Sequence, residues 1–251
     1  MGPARFNACI RLVAMNPNLQ KTPQRTRIKI CGFTREQDID AAVAAGVDAV
    51  GFVLYPPSPR AVSIEAAREL ARRLPPFVTP VLLFVNAEPK VIQQAAHAVP
   101  GAWLQFHGDE TPQECQQAAA LCARPYLKAA RIPANDTASF DLVKFADSFN
   151  QAQAVLLDTL VDGYGGGGKT FNWSLLPPSV NSHLVLSGGL TPANVTDGLA
   201  QLRARGLSLA LDVSSGVELD GPGNKGLKDA HKIHQFVQAV RAADNHFARN
   251  V

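Results

Sequence analysis

The sequence predicts an α/β protein built as one TIM-type (β/α)8 barrel. Three observations carry the prediction. Eight short apolar runs succeed one another from Arg27 onward. Most are separated by stretches with helix signals, at a spacing of roughly 20 to 35 residues. Glycine and hydroxyl residues gather after the last three runs. Eight strand–helix pairs within about 220 residues favour a closed cylinder, and a Rossmann-like open sheet is the alternative on periodicity alone.

In chain order the runs are RIKIC ending at Cys31, DAVGFVL at Leu54, VTPVLLFV at Val85, AWLQF at Phe106, PYLKAARI at Ile132, AVLLD at Asp158, HLVLS at Ser187 and LALDV at Val213. Between the first two, TREQDIDAAVAAG offers Thr34 as a helix cap and Gly46 as a stop. SIEAARELARRL opens on Ser63 and halts before Pro75, and TPQECQQAAALC has Thr111 as cap with Pro112 at the first helical position. TPANVTDGLAQLRARG repeats that grammar from Thr191. The last helix sets Ile233, Phe236, Val237 and Val240 on one face.

Composition narrows the function classes. The chain has 251 residues, 46% hydrophobic and 18% charged, enough for one large core. Residues 27–251 are expected to form the barrel, and residues 1–26 a disordered N-terminal extension. The formal charge of +3 belongs to the N-terminus, because residues 1–27 hold five Lys or Arg and no acid while the remainder balances to −2. A nucleic-acid surface on the folded body is therefore not indicated. No apolar run is long enough to span a membrane and no secretory signal is recognisable, so a cytoplasmic setting is expected. Cysteines at 9, 31, 115 and 122 show neither metal-ligand spacing nor a disulfide framework; no metal is expected.

In a barrel of this type the chemistry sits where strands end, at the C-terminal face. Alternation puts Arg27, Lys29 and Cys31 on one face of the first strand and Ile28 and Ile30 on the other, which aims Cys31 at the barrel mouth. A thiol there acts as a base only if its pKa is lowered by nearby cations or dipoles; otherwise it is a small buried residue. Asp158 closes an apolar run, a costly place for a carboxylate unless it is hydrogen-bonded or catalytic. Asp212 raises the same question, with the structural reading favoured. The loops SGGLT and SSGVE, after strands seven and eight, can converge backbone N–H groups on an anion, which points to a phosphorylated substrate.

The segment Gly163–Thr170, GYGGGGKT, fits the P-loop pattern by letter. Its context does not, because "TLVD" separates it from the strand and Pro177 and Pro178 cut short any following helix. It reads as a mobile active-site loop, with Gly166 and Lys169 as candidate contacts.

Taken together, KICGFT, DAVGFVLYPPSPR, LLFVN, LQFHGDE, LLDT, YGGGGKTFNW, LSGGLTPANV and DVSSGVE resemble the phosphoribosylanthranilate isomerase family of tryptophan biosynthesis. The resemblance runs from Arg27 to the last helix. It implies an Amadori rearrangement of N-(5-phosphoribosyl)anthranilate, an aminoaldose, to 1-(2-carboxyphenylamino)-1-deoxyribulose 5-phosphate. No cofactor is required, the partner is the small phosphorylated substrate, and the chain is a monomer or a homodimer. By the same resemblance Asp158 is the general acid and Cys31 the general base, so the acid must hold a proton at neutral pH and the thiol must have a lowered pKa. Arg60 matches the arginine that meets the anthranilate carboxylate, and Gly188, Gly189, Ser214, Ser215 and Gly216 match the phosphate site. His107 matches a family motif without an assigned step. The chain differs from the family's usual form at Gly167 and Asn172. The histidine-pathway isomerase, which resembles a two-carboxylate design, is disfavoured by Cys31; a non-catalytic sugar-phosphate-binding barrel is the alternative from another class.

Overall fold

A computed structural model describes residues 25–133, 140–160, 170, 172–173, 176–177, 179–203 and 210–249. Eight parallel strands close into a barrel in sequence order. They are β1 Arg27–Cys31, β2 Ala49–Val53, β3 Thr79–Phe84, β4 Trp103–Phe106, β5 Tyr126–Pro133, β6 Ala154–Leu160, β7 Leu184–Leu186 and β8 Ala210–Val213. Closure is made by β1, which pairs with β2 on one side and β8 on the other, Ile28 lying opposite Leu211. Seven helices lie among the described residues: α1 Glu36–Ala45, α2 Ile64–Ala71, α3 Pro89–Ala98, α4 Pro112–Cys122, α5 Leu142–Ser148, α6 Val195–Arg203 and α7 Ala230–Arg249. None is long and apolar enough to cross a membrane.

Period-two alternation sorts the core into two layers. Ile28, Ile30, Phe52, Leu82, Phe84, Leu104, Phe106 and Leu157 point outward and pack against the helices. Val81, Leu127, Ala129, Ala154, Leu156 and Val185 fill the inside. Above that apolar plug the inward positions become polar, and these are the residues that build the site.

The helix ends follow the sequence signals at some positions and depart from them at others. Ser63 caps α2 by accepting from Ala66 N–H, Thr111 and Glu114 form a capping box on α4, and Gly46 ends α1 in the left-handed conformation. Thr34 is not a cap. Its hydroxyl instead donates to the Gly226 carbonyl at 3.2 Å, and α1 starts two residues later without a side-chain cap. Helix α6 begins at Val195, and in the turn ahead of it Asn194 Oδ1 accepts the Thr191 N–H at 2.8 Å. Strand β6 also runs past Asp158, since Thr159 and Leu160 continue the ladder with Ile132 and Pro133 of the long β5.

Packing reaches the residue directly ahead of β1, inside the stretch expected to be a disordered extension. Thr26 is fully buried, and its N–H and hydroxyl both donate to the Asp244 carboxylate of α7, which also meets Arg203 of α6 and Arg241. This cluster joins the first strand to the last two helices at the N-terminal end of the barrel, away from the mouth. Removing the carboxylate leaves the buried Thr26 hydroxyl and N–H without their acceptor and takes a shared anion from two arginines. Asp244→Ala is expected to lower the unfolding free energy by about 2–3 kcal/mol in urea titrations while leaving turnover of the folded protein unchanged.

Candidate active site

Cys31 ends β1 with its side chain at the mouth, 5% exposed, among Val53, Leu83 and Val85. It fits there because its neighbour in the β1–β2 ladder is Gly51, at which an added Cβ would stand 2.6 Å from Cys31 Sγ. One inward position below, Lys29 Nζ meets Asp212 at 2.8 Å, both side chains almost wholly buried. Burial disfavours the ammonium, but Asp212 and Cys31 outweigh it and hold the Lys29 pKa above its ordinary value. For Cys31 the balance goes the other way. Burial pushes the thiol pKa up, against the pull of Lys29 and Lys228. The lowered pKa expected from sequence is thus corrected: the substrate-free pocket withdraws too much water from the sulfur for the two cations to compensate.

Asp158, on β6, is 6% exposed. Oδ1 accepts from the Thr159 N–H at 3.0 Å, and Oδ2 lies 2.9 Å from His107 Nε2, just beyond β4. His107 Nδ1 is in turn 3.0 Å from Gln105 Nε2. Asp212 lies within electrostatic reach of Asp158 and Cys31 as well as of Lys29, so the thiol and the Asp158 carboxylate flank a single buried polar cluster on the same rim.

Arg60 comes from the loop after β2 and is 7% exposed. Its Nε and Nη2 both donate to Glu218, at 2.6 and 2.9 Å, and Lys228 Nζ adds a contact of 3.0 Å to the same carboxylate. Burial raises the Glu218 pKa, but the hydrogen bonds and charges of Arg60 and Lys228 prevail and bring it below the ordinary carboxylate value. The stem of Arg60 lies over Gly32, where an added Cβ would be 2.5 Å from the arginine Cδ. Ser214 is a strut, its hydroxyl donating to the Cys31 carbonyl and accepting from Lys228. The loops after β7 and β8 touch: a Cβ at Gly216 would strike the Leu190 carbonyl. Gly188 passes directly over Asp158, and a Cβ there would be 2.4 Å from Thr159 Oγ1 and 3.2 Å from Asp158 Oδ1. Among the described residues, the amides of Gly188, Gly189, Ser215 and Gly216 have no acceptor.

Comparison with known proteins decides the family. A model of N-(5'-phosphoribosyl)anthranilate (PRA) isomerase matches residues 28–239. The chain belongs to the phosphoribosylanthranilate isomerase family. It is similar to the isomerase of Methylibium petroleiphilum, with 60% identity over 220 residues that cover 88% of this chain and 96% of that one. A crystal structure of the Thermotoga maritima phosphoribosylanthranilate isomerase has 39% identity and a TM-score of 0.74, covering 86% of this chain and 99% of the other. Another crystal structure of the family, at 36% identity and a TM-score of 0.72 over 86% of this chain and 99% of the other, is a complex with reduced 1-(o-carboxyphenylamino)-1-deoxyribulose 5-phosphate.

Within this isomerase fold the sequence-derived residues Cys31, Arg60, His107, Asp158, Gly188, Gly189, Ser214, Ser215 and Gly216 all lie at the C-terminal end of the barrel. Gly166 and Lys169, with the rest of 161–169, lie outside the described residues. Asp212 bears out its structural reading as the partner of Lys29. Sequence reasoning missed Gln105, Glu218 and Lys228. Glu218 stands inside the quoted SSGVE but beyond the end of β8, where alternation gives no signal, whereas Gln105 is two residues ahead of His107 on the same strand face and was within reach of the alternation.

The space made by Gly51 is a direct requirement of the thiol. Gly51→Ala is expected to displace Cys31 Sγ and lower kcat/KM by at least about tenfold, since small misplacement of a reacting group has large kinetic cost, with a stability loss of only about 1–3 kcal/mol. Steady-state kinetics beside thermal melts would check both.

Proposed function

We propose that this isomerase converts N-(5-phosphoribosyl)anthranilate to 1-(2-carboxyphenylamino)-1-deoxyribulose 5-phosphate by general acid and base catalysis, with Asp158 as acid and Cys31 as base. The observation that carries the assignment is the placement of a buried carboxyl group and a buried thiol around one polar cluster at the barrel mouth. Asp158 would protonate the furanose oxygen, opening the ring to a Schiff base. Cys31 would then take the C2 proton, with the substrate nitrogen as electron sink.

Three features support the binding mode. The unpartnered amides of Gly188, Gly189, Ser215 and Gly216 offer donors to a phosphate. Arg60 gives Glu218 only its Nε and Nη2 edge, so the Nη1 side of the guanidinium remains for the anthranilate carboxylate. Gly188 carries the phosphate loop across Asp158, which brings the sugar of a bound ligand over the acid. Residues 27–251 form the catalytic domain in this reading, and the ligand is a phosphorylated small molecule.

The thiol is the resting form of Cys31, and the base-competent thiolate forms against Lys29 and Lys228. Its pKa is raised, so the thiolate fraction falls about tenfold for each pH unit below that value. The difference in thiolate absorbance between this protein and Cys31→Ser is expected to titrate above the ordinary thiol range, and titration near neutrality would contradict the burial argument. Cys31→Ala and Asp158→Asn are each expected to lower turnover of the fluorescent anthranilate adduct by at least ~10²-fold with no added cofactor. Near-normal rates in well-folded variants would refute the two roles.

A further inference from the structure

One buried group that the mechanism does not use stands beside the site. Gln105 is fully buried inside the barrel on β4, and its Oε1 has no hydrogen-bond partner, while its Nε2 stands 3.0 Å from His107 Nδ1. An unmet acceptor in such a place costs about 1–3 kcal/mol, and it lies on the side chain hydrogen-bonded to the ring that touches Asp158.

An amide nitrogen only donates. With Gln105 Nε2 on His107 Nδ1, that ring nitrogen must accept, the ring proton is on Nε2, and Nε2–H donates to Asp158 Oδ2. In this arrangement both oxygens of Asp158 accept hydrogen bonds, the other from the Thr159 N–H. That holds the carboxylate, the state of an acid that has already given its proton. The acid-ready state needs a lone pair or a shared proton at His107 Nε2, so Nδ1–H must find an acceptor. Gln105 Oε1 is the atom that can serve, after a half-turn of the amide that exchanges groups of nearly equal size.

We infer that Gln105 and His107 are positioning residues that set the protonation of Asp158: the Gln105 amide presents Oε1 to Nδ1–H when Asp158 holds its proton, and Nε2 to bare Nδ1 once that proton has gone. The inference rests on Asp158 being the acid. Protons balance. The acid-ready trio holds two, one on Nδ1 and one between Nε2 and Oδ2; the second passes to the substrate oxygen, and the first moves through solvent from Nδ1 to Nε2 as the amide turns. Charged groups around the trio are Asp212 of β8, paired with Lys29 of β1, and Arg131 of β5, which is opposite Asp158 in the ladder and 3.5 Å from Asp109.

Two variants separate this role from packing. Gln105→Leu fills the space and removes the acceptor; it is expected to lower kcat roughly tenfold or more, with KM changed less than about threefold. Gln105→Glu keeps an acceptor facing Nδ1, and is expected to retain more of kcat than Gln105→Leu and to move the alkaline limb of the rate profile to higher pH. A packing role reverses the order, because a carboxylate in an apolar interior is the worse tenant. If either variant fails to fold, the wild-type protein still decides. Histidine ¹⁵N spectra are expected to show His107 Nδ1 protonated on the active side of that limb and unprotonated beyond it. Nδ1 unprotonated throughout the active range would overturn the inference, as would a fully active Gln105→Leu. Failure of the acid assignment itself has a different signature, full turnover by Asp158→Asn.

Discussion

The ion pair between Lys29 and Asp212, closed at 2.8 Å inside the barrel, is the constraint on which the mouth depends. Below it the interior is apolar, and above it stand the thiol and the carboxyl group. Each charge alone would be a heavy burden in that setting, and their pairing makes a polar layer tolerable between β1 and β8, the two strands that close the cylinder. The same pair tunes its surroundings in opposite senses. Lys29 draws the Cys31 thiol toward ionisation, whereas Asp212 opposes it. The pull of Lys29 does not overcome burial, which Asp212 reinforces, so the sulfur rests protonated.

Much of this was legible in the sequence, for physical reasons that can be named. Strand-end logic found Cys31 and Asp158 because an apolar run that stops on a polar side chain reports its own direction. Ser63, Thr111 and Gly46 were legible because capping is local chemistry. Thr34 was misjudged because its hydroxyl is claimed by a partner that the local pattern does not contain, the Gly226 carbonyl. Glu218 escaped for a similar reason. Its meaning lies in Arg60, which only closure of the barrel brings near.

Ionisation was the least legible property. The residue types for acid and base chemistry can be read from letters, but the depth of burial and the sign of the summed charges cannot. A thiol beside two lysines invites the inference of a low pKa, and the packing of Val53, Leu83 and Val85 around it reverses the sign. The glycines tell a more sequence-like story. Gly32, Gly51 and Gly188 each stand where a methyl group would collide with Arg60, Cys31 or the Asp158–Thr159 pair, so the motifs KICG, DAVGF and SGGL record the shapes of neighbouring side chains.

The clamp of Glu218 on Arg60 has a consequence for selectivity. The guanidinium sheds its water while the chain folds, since it is 7% exposed and held by two bonds to a glutamate 158 residues further along. In the proposed binding mode the anthranilate carboxylate would meet a cation that is already dry and cannot swivel. A planar carboxylate arriving edge-on would satisfy the remaining N–H groups better than a rounder or tilted anion, so discrimination by geometry would be in place before any encounter.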